Sequence, residues 1–71
     1  MRLFFDILGP VSKTYDFSGQ YFEKPEEAAE MAKLIALDLG ASETAEREGM
    51  VVEVRCAAGQ KFFSVPIELA A

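Results

Sequence analysis

Only one stretch of this chain, Pro25 to Gly40, repeats its apolar residues with helical period over several turns, whereas strand-like alternation occupies both ends. A single helix buries a single face of a sheet. This asymmetry constrains the fold more than any other feature of the sequence, because a sheet assembled from the two ends needs another cover for its second face.

The segment Arg2 to Leu8 alternates Leu3, Phe5 and Ile7 with Phe4, Asp6 and Leu8. Successive strand side chains point to opposite faces, so Phe4 and Phe5 cannot share one core. Gly9-Pro10 breaks this strand, and Lys13 to Phe17 is expected to return as a second arm that ends at Ser18-Gly19. Pro25 suits the first helical position, Glu26 and Glu27 follow in the turn where the helix dipole favours negative charge, and Gly40 is placed as a C-terminal cap. Ala28, Met31, Ala32, Ile35, Ala36 and Leu39 form the helix's apolar stripe. Leu34 and Leu37 fall on the other side, and the preferred reading is that Ala41 to Glu48, with a short helix from Ser42, folds over them.

The last third reads as a hairpin. Met50 to Cys56 is β-branched and alternating, Ala57 to Gln60 is a turn with Gly59 available for positive φ, and Lys61 to Leu69 returns. Pro66 donates no ladder hydrogen bond, which puts that part of the strand at an edge or beside a bulge. The expected architecture is α+β: one domain over residues 1–71, ββαββ, with a four-stranded antiparallel or mixed sheet and one main helix packed on one face. Leu3, Phe5, Ile7, Val52, Val54, Phe63, Val65 and Ile67 are assigned to the helix side.

The opposite face is then left with Phe4, Leu8, Val51, Phe62 and Pro66, diluted by Asp6, Glu53, Arg55 and Ser64. Clustered exposed aromatic residues mark interfaces. A 71-residue chain buries only about 60% of the surface its unfolded form exposes, so a second copy would supply burial that the chain lacks. Phe4, Leu8, Val51, Arg55, Phe62 and Pro66 are therefore the expected interface, and a homodimer the expected assembly, formed through the outer face or a sheet edge.

Residue types argue against several chemistries. The chain has no histidine, hence no usual general base near neutral pH and no Ser-His or Cys-His pair. Its lone cysteine, Cys56, allows no intramolecular disulfide and reads as an inert thiol at a strand end. The five glycines occur singly, which provides no phosphate-cradling loop. Glu26 and Glu30 lie four apart and could chelate a hard cation with waters, but a solvated helix start is the preferred reading for them and Glu27. Asp16 reads as a turn residue, and Asp6 as a partner for Arg55 across the outer face. No catalytic residue, metal ligand or cofactor is assigned, and the chain is expected not to be an enzyme.

The net charge of −5 is concentrated between Glu23 and Glu48, where eight acidic residues face three basic ones. Such a surface repels phosphate backbones, so no nucleic-acid partner is expected, whereas a basic protein would be attracted. No apolar run is long enough to span a bilayer and no leader pattern opens the sequence, which gives a cytoplasmic expectation without membrane association.

Phe4-Phe5-Asp6-Ile7, Asp16-x-x-Gly19, Glu27-Ala28-Ala29, and Val52-Glu53-Val54-Arg55 followed by x-x-x-Gly59 run through nearly the whole chain. In these motifs it resembles a family of short proteins, common in rhizobia and other alphaproteobacteria, that is catalogued as a domain of unknown function. Members usually have an acidic or polar turn where this chain has Gly9-Pro10-Val11-Ser12. That resemblance implies no activity. A weaker similarity, in Glu26-Glu27-Ala28 and Ala32, is to HicB-type antitoxins, which neutralise an RNA-cleaving toxin. This chain lacks their extra strand and C-terminal DNA-binding segment. The runner-up reading is thus an antitoxin-like inhibitor of a basic partner.

Overall fold

The computed structural model describes residues 1–41 and 49–68. Its elements are β1 (Arg2–Leu8), β2 (Lys13–Thr14), β3 (Gln20–Tyr21), α1 (Pro25–Gly40), β4 (Val51–Cys56) and β5 (Lys61–Pro66). All the strands belong to one antiparallel sheet of order β2-β1-β4-β5, and β3 also pairs with β1. The α+β class and one main helix packed on the sheet, among the described residues, are as the sequence indicates, but ββαββ needs correction. The return arm expected over Lys13–Phe17 is two short pieces, pairing Leu8 with Lys13 and Ile7 with Thr14, then Leu3 with Gln20 and Arg2 with Tyr21. Between them the chain leaves the sheet, and Phe17 at its tip is 90% exposed.

The helix stripe falls where its spacing predicts. Ala28, Ala32 and Ala36 are buried, and Met31, Ile35 and Leu39 are half-buried beside them. Three alanines in line let the helix lie close on Leu3, Val52 and Val54, which are fully buried. Phe22 completes this core, meeting Phe5 edge to face with ring centroids 5.8 Å apart. It is held there by a backbone exchange with Met1, whose carbonyl accepts the Phe22 N–H at 2.8 Å and whose ammonium donates to the Phe22 carbonyl at 2.6 Å. At the helix start the Glu27 carboxylate accepts the Lys24 N–H at 3.0 Å, satisfying a donor that the first turn would otherwise leave unpaired.

Gly40 is not the expected cap. It closes the helix without positive φ, and a methyl group there would collide with the Glu68 carbonyl oxygen. Close approach of two backbones, not a left-handed turn, is what requires glycine at this position. Gly59 does have positive φ, at 91°, in the β4–β5 turn. Ile67, expected within the last strand, lies just beyond β5 and is buried. Leu34 and Leu37 are exposed, at 66% and 71%, rather than covered. The short helix expected from Ser42, and Leu69, lie outside the described residues.

Candidate functional site

Strand register sorts the outer face of the sheet into rows. Leu8, Val51 and Pro66 form one row, Asp6, Glu53 and Ser64 the next, and Phe4, Arg55 and Lys61 the third. The middle row sets two carboxylates directly opposite each other, an arrangement that repels unless cations intervene. The third row supplies them. Arg55 Nε donates to Asp6 Oδ2 at 2.6 Å, and Lys61 Nζ lies 3.5 Å from Glu53 Oε1. The Asp6–Arg55 pairing anticipated from the sequence is therefore present, on the diagonal.

Lys61 reaches this row because of a bulge. Val54 pairs with Phe63 but Arg55 with Lys61, leaving Phe62 as the extra residue. Strict alternation, which assigned Phe62 to the outer face, fails here, and Phe62 packs against the core along with Phe63. The outcome follows side-chain chemistry: the ammonium goes to the polar rows and the phenyl ring to the apolar side. Of the six residues expected at an interface, Phe4, Leu8, Val51, Arg55 and Pro66 share the outer face by register.

The loop between β2 and β3 closes over one end of this face. Asp16 organises it. Its Oδ1 accepts the N–H groups of Ser18 at 3.0 Å and Gly19 at 3.2 Å, and its Oδ2 accepts that of Phe5 at 3.2 Å. The Asp16 N–H donates to Asp6 Oδ1 at 2.9 Å, and its carbonyl accepts from Arg55 Nη2 at 3.0 Å. Asp6 is consequently only 1% exposed, with both oxygens engaged. The turn assigned to Asp16 is there, but nothing in the sequence signals its reach to β1 and β4.

Phe4 owes its cover to these same residues. The Arg55 guanidinium carbon stands 4.7 Å from the centroid of its ring, and Gly19, at φ 71°, approaches its edge so closely that a Cβ would sit 2.8 Å from Cε2. Arg2 Nη1 fastens the loop from outside by donating to the Ser18 carbonyl at 2.8 Å. Electrostatics agree with this packing. Burial acts to raise the Asp16 pKa, but the backbone donors Gly19, Phe5 and Ser18, with the charge of Arg55, outweigh it and hold the carboxyl below its ordinary value. The hydrogen bond to Asp6 raises the Arg55 pKa against an opposing effect of burial.

Elsewhere the titratable groups are plainly placed. Glu26, Glu27 and Glu30 are exposed; Glu30 pairs with Lys33 at 3.3 Å, and Glu27 serves the helix start. Among the described residues no three His, Cys, Asp or Glu side chains are grouped to hold a metal ion, and no helix is long and apolar enough to cross a membrane. Cys56 is half-buried at the end of β4.

A second feature lies at the β5 end. Lys33, Ala36 and Leu37 of α1 and Val65, Pro66 and Glu68 line a shallow groove above the outer edge of the sheet. Sequence spacing gave Leu37 and Pro66 separately and did not join them.

Phe4, Asp6, Asp16, Gly19 and Arg55, five of the residues that carry the sequence resemblance, thus meet in one cluster. No curated protein and no solved structure matches the chain. A family model described as "Domain of unknown function (DUF6894)" matches residues 2–68, and the chain belongs to that family.

Proposed function

We propose that the protein is a non-enzymatic, cytoplasmic binding module that self-associates. One observation carries this reading: Leu37, 71% exposed, overhangs a sheet edge that no described strand covers. Exposed apolar side chains beside unpaired strand backbone are the two features that folded chains ordinarily hide or use for contact. The carboxylates of the polar cluster support the non-enzymatic part. Asp6 is almost wholly buried, and its oxygens, like those of Asp16, hold protein donors, which accounts for both carboxylates as structural groups.

The test is sedimentation velocity on the whole chain over a wide concentration range. A dimer, or a reversible shift towards one on concentration, is expected. A chain that stays monomeric up to millimolar concentration overturns self-association and favours the runner-up. That reading, an inhibitor of a basic protein, draws on the exposed Glu23, Glu26, Glu27, Glu30 and Asp38.

A further inference from the structure

Resting on the self-association reading, we infer that the occupant of the β5 edge and its groove is a second copy of this chain, joined by antiparallel β5–β5 pairing across a two-fold axis. The phase of the ladder identifies which backbone groups are on offer. Ile67 N–H donates to the Met50 carbonyl at 2.9 Å, and alternation then turns the backbone groups of Val65 and Phe63 towards β4 and those of Ser64 away from it. Pro66 stands at an outward position too, where its missing N–H costs the β4 ladder nothing. The offered edge is therefore short and centred on Ser64.

A short edge favours its own copy over an arbitrary extended peptide. In a two-fold antiparallel pair Ser64 meets Ser64, so the donor and acceptor of each copy meet the acceptor and donor of the other. Main-chain pairing of this length needs side-chain burial beside it. Leu37 and Val65 provide that burial on the helix side, where a two-fold perpendicular to the sheet brings both grooves together. Charge points to the same place. The exposed turns of α1 carry Glu26, Glu30 and Asp38 and would repel a like surface, whereas the groove has one charge of each sign, Lys33 and Glu68.

The experiment is sedimentation velocity on the full chain and two variants, Ser64→Pro and Leu37→Glu, each checked by circular dichroism and thermal melting. Ser64→Pro removes only an outward N–H, in a strand that already carries a proline two positions on, and Leu37→Glu alters an exposed side chain, so both are expected to fold. The expected result is a wild-type dimer with at least tenfold weaker association in each variant, the melting temperatures agreeing when read at a concentration low enough that every chain is monomeric. A wild-type dimer indifferent to both variants overturns this interface while leaving self-association standing. A wild-type monomer at every concentration overturns both. Should either variant fail to fold, Leu37→Ser read by the same method replaces it, and undiminished association then counts against the interface.

Discussion

Where β1 runs out of strand partners, between its pairings with β3 and β2, the Asp16 carboxylate accepts the Phe5 N–H. Where β5 does, at Ser64, no described residue takes the equivalent place. The first edge is closed by a side chain that also gathers two loop N–H groups and ties its own backbone to Asp6 and Arg55. The second is guarded only by Pro66 and Lys61, residues that limit edge pairing without preventing it. In a chain of 71 residues, then, a polar side chain can take the place of a neighbouring strand along part of an edge, and an edge without one is where contact with another molecule is cheapest.

The sharpest way to break this contrast is to remove Asp6. An Asp6→Ala variant leaves Arg55 and the Asp16 N–H without their shared acceptor, and it is expected to lose about 2–4 kcal/mol in a urea titration, somewhat under a fully buried pair because Arg55 stays partly solvated. A loss below about 1 kcal/mol would mean that the closed edge does not depend on this pair. Gly19→Ala comes next. Positive φ and the Phe4 ring both oppose the added methyl, for an expected cost of about 1–3 kcal/mol by the same titration. Combining it with Phe4→Ala should recover the steric part and leave the backbone part.

Asp16→Asn sharpens the comparison through pH. Because the folded carboxyl titrates below its ordinary value of 3.8, it contributes stability that is complete above that value and is lost as pH falls through the folded pKa. The wild type should therefore lose stability on acidification below about pH 4 more steeply than Asp16→Asn, which should already be about 1–2 kcal/mol weaker at neutral pH for want of one acceptor. Parallel pH profiles of the two would remove Asp16 from the account. Leu34→Ser, on the exposed side of α1, is expected to change stability by no more than about 0.5 kcal/mol. A larger loss by thermal melting would show that this leucine is covered in solution.

Periodic segments were the legible part of this molecule. The α1 stripe and the inward residues of β1 and β4 are set by repeats of side-chain type over neighbouring positions, and the β4–β5 turn by Gly59 at positive φ. Phe22 escaped that reading because it stands between Tyr21 and Glu23, outside any repeat, and is held in the core by its backbone exchange with Met1 and its contact with Phe5. The interrupted second arm escaped it too. Lys13 to Phe17 has strand-forming residues, yet Asp16 offers the backbone a competing set of hydrogen bonds, and the chain leaves the sheet there.

By itself the sequence determined a small α+β domain with one helix over a sheet, since local period and turn residues suffice for that, and it indicated the Asp6–Arg55 pair. Only the tertiary structure decided which side each phenylalanine takes and what covers it: Phe22 for Phe5, Arg55 and Gly19 for Phe4, and a bulge for Phe62. The covers of Phe5 and Phe4 depend on residues 15 to 51 positions apart in the chain coming together, and the place of Phe62 on a shift in register between two neighbouring strands. Such meetings are fixed by register and by the satisfaction of buried polar groups, neither of which leaves a periodic trace.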